Sequence, residues 1–263
     1  MELKEKILNM NISHIRNATI IVQYAGKKFL VDPMLADKGA YPPFPAGINE
    51  EMRNPLNDLP TSIDHIINDV DAVILTHLHL DHYDDVAKEV LPKNIKVFVQ
   101  NEGDAKQVKS DGFQQVEILE ENTLFDGIQL IKTQGEHGRG EELLKNMGQV
   151  SGVVFKHETE KTLYVAGDTV YYEGVKIELD THTPDVIIVN AGDNLWQDSG
   201  SLVMGKEDVF EVHKKAPDAK IIAVHMEAVN HWTLSREELK RFGEEKGFSS
   251  SLLVPEDGES YNF

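Results

Sequence analysis

Between Thr76 and Asp85 the chain reads Thr-His-Leu-His-Leu-Asp-His-Tyr-Asp-Asp, which puts three imidazoles and a carboxylate, His77, His79, Asp81 and His82, within six residues. Imidazole nitrogen and carboxylate oxygen are donors that zinc, manganese and iron accept. The spacing sorts the four. In extended chain His77 and His79 point to one side and can reach one ion. A turn into a helix then carries Asp81 and His82 to a different position. One short loop can therefore serve two ions a few ångströms apart, the arrangement used in metal-assisted hydrolysis. The apolar run Val73-Ile74-Leu75 leads into the loop, and a strand there fixes where the loop begins.

Three more metal-competent residues stand just after apolar runs of strand type: His137 after 128–133, Asp168 after 163–166 and His225 after 221–224. Strand ends along one sheet edge can converge on one cleft. The whole set is five histidines and two aspartates, enough for two ions with a carboxylate between them. The chain has no cysteine, which excludes thiolate ligands and disulfides.

Apolar periodicity and turn chemistry predict the elements that carry these residues. Strands are expected at 12–16, 19–24, 28–31, 72–75, 96–99, 116–119, 123–125, 128–133, 150–157, 162–166, 186–189, 221–224 and 252–254. Ala25-Gly26-Lys27 and Asp126-Gly127 read as hairpin turns. Helices are expected at 62–67, 85–90, 101–110, 207–215 and 236–246, and residues 1–10 read as a short helix or a ragged end. Segment 34–60, with Pro42, Pro43, Pro45, Pro55 and Pro60, is too long for a simple connection and is expected to cover the site. No composition break divides the chain, so one α/β domain with mixed sheets is expected over 1–263.

With 26 basic and 45 acidic residues the formal net charge is −19. That argues against a general binder of nucleic acid or of anionic membranes, both of which need a basic face. No signal-type apolar core follows Met1, and no stretch approaches the ~18 apolar residues that span a bilayer. The expectation is a cytoplasmic protein with a small-molecule substrate.

The motif H-x-H-x-D-H at the end of an apolar strand, followed in order by His137, Gly167-Asp168-Thr169 and His225, resembles the metallo-β-lactamase-fold hydrolases over most of the chain. The resemblance implies an αββα sandwich, two mixed sheets flanked by helices, and a site for two divalent metal ions, zinc or manganese with iron as an alternative. By that resemblance His77, His79 and His137 would hold one metal, Asp81, His82 and His225 the second, and Asp168 would bridge them. It also implies a place behind the metals for Asp32; with Thr76 it is a candidate for fixing the imidazole tautomers. Asn190-Ala191-Gly192 and the segment from His225 to Arg236 look like the branch that includes the ascorbate-6-phosphate lactonase.

Two such ions would lower the pKa of a shared water and supply hydroxide for attack on carbon or phosphorus. The reaction expected first is opening of a small-molecule ester, a lactone in particular. The alternatives are cleavage of a small phosphodiester and a non-catalytic, regulatory metal-binding role. Asp81 is a candidate to orient the nucleophile as well as bind metal. His231, six residues after His225, is a candidate to protonate the leaving group or bind an anionic substrate, against the plainer reading of a loop histidine bonded to backbone. Tyr41, Phe44 and Trp196 are candidates for a pocket wall. His14, His65, His157, His182 and His213 match no element of the motif and are read as structural.

Overall fold

In the computed structural model, which describes residues 10–45 and 48–263, the strands form two seven-stranded sheets. The expectation for residues 1–10 lies, except at Met10, outside the described residues. The first sheet begins with β1 (Asn11–Arg16), β2 (Thr19–Tyr24) and β3 (Lys27–Val31), paired antiparallel, and continues in parallel through β4 (Ala72–Ile74), β5 (Lys96–Val99) and β6 (Gln115–Ile118). The second repeats the plan: β7 (Thr123–Phe125), β8 (Ile128–Gly135), β9 (Val150–Lys156) and β10 (Leu163–Val165) are antiparallel, and β11 (Val186–Asn190), β12 (Lys220–Val224) and β13 (Leu252–Leu253) add in parallel. A last strand, β14 (Ser260–Asn262), returns to the free edge of β1.

Residue alternation along the strands builds the layers. Phe29, Val31, Ile74 and Phe98 of the first sheet face Phe155, Val165, Ile188 and Val224 of the second in one buried core. The intervening residues Leu30, Val73, Val97 and Val99 face outward onto α1 (Ile63–Ile67), α2 (Asp85–Val90) and α3 (Glu102–Ser110). On the other side, Tyr164, Ile187, Val189, Ile221 and Ala223 meet α5 (Glu173–His182), α6 (Lys206–Lys215) and α7 (Arg236–Lys246), while α4 (Glu141–Met147) lies between β8 and β9 in the chain. The result is the αββα sandwich. Strands β4, β8, β10 and β12 all feed candidate ligand loops from their carboxyl ends, the edge where open α/β sheets bind ligands.

Side chains cap several helix starts, among them the Ser235 expected at α7. Asp84 accepts from the Ala87 amide, Asn101 from that of Asp104, and Ser235 and Glu238 form a reciprocal capping box. Three elements were not expected: α4, α5 and β14. Helix α5 buries only Val175 and Leu179, one helical turn apart, and carries Gly174 in its first turn, so its apolar signal is thin. Strand β14 has three residues and owes its place to a partner about 250 positions away.

Candidate metal centre and substrate cavity

Strained backbone at the strand ends aims the candidate ligands. Asp32 follows β3 with φ +47°, and His225 follows β12 with φ +60°. Left-handed non-glycine residues cost energy and persist where the surroundings hold them. Here the Thr76 amide and hydroxyl donate to the two Asp32 oxygens at 2.8 and 2.7 Å, and the His225 amide donates to Asn17 O at 2.9 Å. Gly167, before Asp168, has φ +70°, and a Cβ there would lie 2.5 Å from Ser151 O, so only glycine fits.

The structure brings all seven predicted ligand residues together. Asp168 Oδ2 is the hub: His82 Nε2 lies 3.2 Å from it, His137 Nε2 3.5 Å, His225 Nε2 3.7 Å and His77 Nε2 4.0 Å. Asp81 Oδ2 is 3.1 Å from His225 Nε2 and 3.8 Å from His82 Nε2. Three groups could each hold an ion, with donor atoms within 4.8 Å of one another: His77, His79 and His137; His77, His82 and Asp168; and Asp81, His82 and His225.

A ring of hydrogen bonds turns the imidazoles inward. His82 Nδ1 donates to Asp32 Oδ2 at 2.9 Å, and His137 Nδ1 donates to Leu202 O at 3.0 Å. The Thr76 hydroxyl has given its proton to Asp32, so at 3.1 Å it accepts from His77 Nδ1. Each ring thereby presents a bare Nε2 to the hub, which is how metal-binding imidazoles are prepared. The buried Nε2 of His77 has no hydrogen-bond partner among the described residues, and that of His82 faces the Asp168 and Asp81 carboxylates. Orphaned inward nitrogens around buried carboxylates are a donor set that fits divalent metal.

The electrostatics point the same way. Burial is the largest influence on Asp81 and Asp168 and opposes their charge, yet the surrounding imidazoles, His82 first, hold both carboxyls well below the usual range. Burial also works against a charged His82, but Asp168, Asp81 and Asp32 overcome it and raise that imidazole well above its ordinary value. His77 and His137 are pulled down, chiefly by burial. The carboxylates thus demand positive charge at the hub, and metal ions would supply it in place of protons.

Beside the hub lies a cavity of about 350 Å³. His79, Asp81, His137 and Asp168 form its floor, and Phe44, Leu80, Met147, Trp196, Leu202 and Val203 form an apolar wall, with Asn146, Asn194 and His231 as the remaining polar groups. Among the described residues no lysine or arginine lines it. His231 is buried, its ring 5.3 Å from that of Phe44, and its Nδ1 has no partner among the described residues. Burial drives its pKa down to about 4, so the ring is neutral at neutral pH. Of the three candidate aromatics, Phe44 and Trp196 line the cavity, whereas the Tyr41 hydroxyl accepts from the Asp85 amide at the start of α2.

Segment 34–60 reaches the cavity through Phe44 and is tied on both flanks. Arg16 donates to Met34 O, Ala36 O and Asn57 O, each at 2.8 Å. Asn230 exchanges bonds with Phe44 N and O, and its side chain also meets Ile48 O and Asn54 Nδ2. Sequence reasoning missed these asparagines. It also missed Asn17, whose amide donates to Asp81 O at 3.0 Å, and it marked Asn190 only within Asn190-Ala191-Gly192, without the bond it donates to Asp168 Oδ1, which leaves Oδ2 as the hub. Asparagine has no ligand spacing to betray it; only its proximity to strand ends was visible. His14, by contrast, packs against Asn17 O and Glu256 O, away from the cavity.

Comparison with known proteins agrees with this architecture. Residues 27–226 match the model of the beta-lactamase superfamily domain. The chain is 69% identical to the UPF0173 protein YddR of Bacillus subtilis over 97% of its own length and 100% of the relative's. It superposes on the crystal structure of an isothiocyanate hydrolase from Delia radicum gut bacteria with a TM-score of 0.93 and 41% identity, covering 97% of this chain and 99% of that one. A possible metal-dependent hydrolase from Veillonella parvula gives 0.94 and 40%, over 97% and 100%. This chain is therefore a metal-dependent hydrolase of the UPF0173 family, within the beta-lactamase superfamily.

Proposed function

We propose that the protein hydrolyses a small, uncharged electrophile with an apolar tail, an isothiocyanate first of all, at a two-metal centre built on Asp168. One observation carries the reading: an apolar wall, without a cationic side chain among the described residues, stands beside the histidine–carboxylate cluster. A phosphodiester or a phosphorylated lactone would bring an anion whose charge, away from the ligand cluster, meets no cationic side chain among the described lining residues. The isothiocyanate hydrolase at 41% identity supports the choice of electrophile. A neutral lactone is the second reading, favoured by the same uncharged wall. Because both sheets contribute to the cluster, we read 1–263 as one catalytic domain.

His77, His79 and His137 would hold one ion, Asp81, His82 and His225 the other, and Asp168 would lie between. Ions so held lower the pKa of water toward neutrality and polarise the substrate. The apolar wall excludes bulk water and seats the tail. His231, neutral, accepts a proton as water oxygen joins the central carbon and returns it to the substrate nitrogen. The carbon–nitrogen bond then breaks with its electron pair on nitrogen, which takes the second water proton. An isothiocyanate and one water thereby give an amine and carbonyl sulfide.

The test is turnover by zinc- or manganese-loaded protein of 2-phenylethyl isothiocyanate, a neutral aryl lactone and bis(4-nitrophenyl) phosphate, with a chelated control. Chelator-sensitive amine release is the expected result. Lactone opening alone would select the second reading, and preference for the phosphodiester would overturn both.

A further inference from the structure

Asn194 is 1% exposed, and neither polar atom of its carboxamide has a hydrogen-bond partner among the described residues. Buried amides are nearly always bonded, so one that is not calls for an explanation. It stands in the cavity wall with Asp81, Asp168 and His231. Its backbone is pinned from two directions: Leu202 N donates to Asn194 O at 2.7 Å, and the next residue's amide, Leu195 N, donates to His231 O at 2.9 Å. Gly192 makes room for the side chain, since a Cβ there would stand 2.3 Å from Asn194 Oδ1. The oxygen edge therefore packs over Gly192, and Nδ2 is the opposite, equally unpartnered edge of a carboxamide in the cavity lining.

We propose that Asn194 Nδ2 is the hydrogen-bond donor that receives the substrate's heteroatom, the sulfur of an N=C=S group, and so selects among uncharged electrophiles. The proposal rests on the reading of the cavity as a site for such substrates. As the carbon–oxygen bond forms, negative charge develops on the N=C=S group, shared by nitrogen and sulfur, until nitrogen takes the proton carried by His231. A donor fixed beforehand in a water-poor cavity stabilises charge where it develops. His231 moves the proton and does not perform that task, and Asn194 has no hydrogen bond to a described residue to lose by performing it.

The test uses Asn194→Leu, which keeps the branched heavy-atom skeleton and removes both polar atoms, with Asn194→Ala as a second variant. A structural asparagine would lower Tm when replaced. Here Tm and metal content of the leucine variant are expected to hold, because no protein hydrogen bond is broken. Its kcat for 2-phenylethyl isothiocyanate is expected to fall about 10²–10³-fold with KM changed little, the size of effect seen on removing one oxyanion donor. Binding of N-(2-phenylethyl)thiourea to the metal-loaded protein, measured by calorimetry, is expected to weaken about tenfold, roughly one hydrogen bond. Wild-type kcat and thiourea affinity in both variants would overturn the proposal, as would losses that merely track Tm or metal content. A wild type that binds no thiourea would overturn it too. If wild type turns over only lactone, the isothiocyanate reading fails by itself, and unchanged lactone kcat in Asn194→Leu would then overturn the Asn194 role separately.

Discussion

Asp32 lies behind the hub, with one oxygen on the Thr76 amide and the other shared by the Thr76 hydroxyl and His82 Nδ1. Removing it frees the His82 ring to turn and loosens the loop start. Asp32→Ala is expected to lower metal affinity about 10–100-fold, read by competition with a chromophoric chelator; unchanged affinity would show that His82 is oriented by other means. His231 gives a pH test. Its pKa is about 4 in the folded chain, against about 6.5 when unfolded. Between those values the unfolded state binds the extra proton, so stability falls as pH drops through that window and levels off below it. In chelated protein, His231→Gln should therefore lose about 2 kcal/mol less than wild type between pH 7 and pH 5, measured by urea unfolding at the two values. A parallel fall would contradict a neutral buried His231. At this scale the ligands were readable because histidine and aspartate at strand ends are chemically conspicuous. Asn17, Asn190 and Asn194 were not, because an amide acquires its role only from what the fold places against it.

Segment 34–60 was read as a cover for the site, and the structure brings Phe44 of that segment into the cavity wall. The clasp is Asn230, whose carboxamide bonds Phe44 N and O, Ile48 O and Asn54 Nδ2 at 2.9–3.2 Å. Asn230→Ala would leave several of these groups unpaired in a buried place. The expected cost is about 3 kcal/mol, seen as a Tm lowered by roughly 6–10 °C, together with a raised KM as the Phe44 wall loosens. An unchanged Tm would mean that other ties hold the segment, such as Arg16 and Asp84, the latter accepting from Leu35 N and Ala36 N. Most elements were legible, because runs such as Val186–Asn190 and Lys220–Val224 are apolar and sharply bounded. Helix α4 was not. It is seven residues between Gly140 and Gly148 with a single fully buried side chain, Leu143, yet its end supplies Asn146 and Met147 to the cavity.

Across the whole molecule the two sheets repeat one plan, hairpins followed by parallel strands, and face each other so that their carboxyl edges meet at Asp168. That similarity of the halves was visible in the order of hairpins and helices. The pairing of β14 with β1 was not, since it joins opposite ends of the chain. A net charge of −19 and a cavity with no cationic side chain among the described residues both disfavour anionic substrates. Everything in the functional reading depends on metal at the hub. The measurement that tests it most directly is an anomalous difference map from crystals of the protein soaked in manganese or zinc. The account predicts two peaks flanking Asp168 Oδ2, one at His77, His79 and His137 and one at Asp81, His82 and His225. No peak there, or metal bound only elsewhere on the protein, would contradict it.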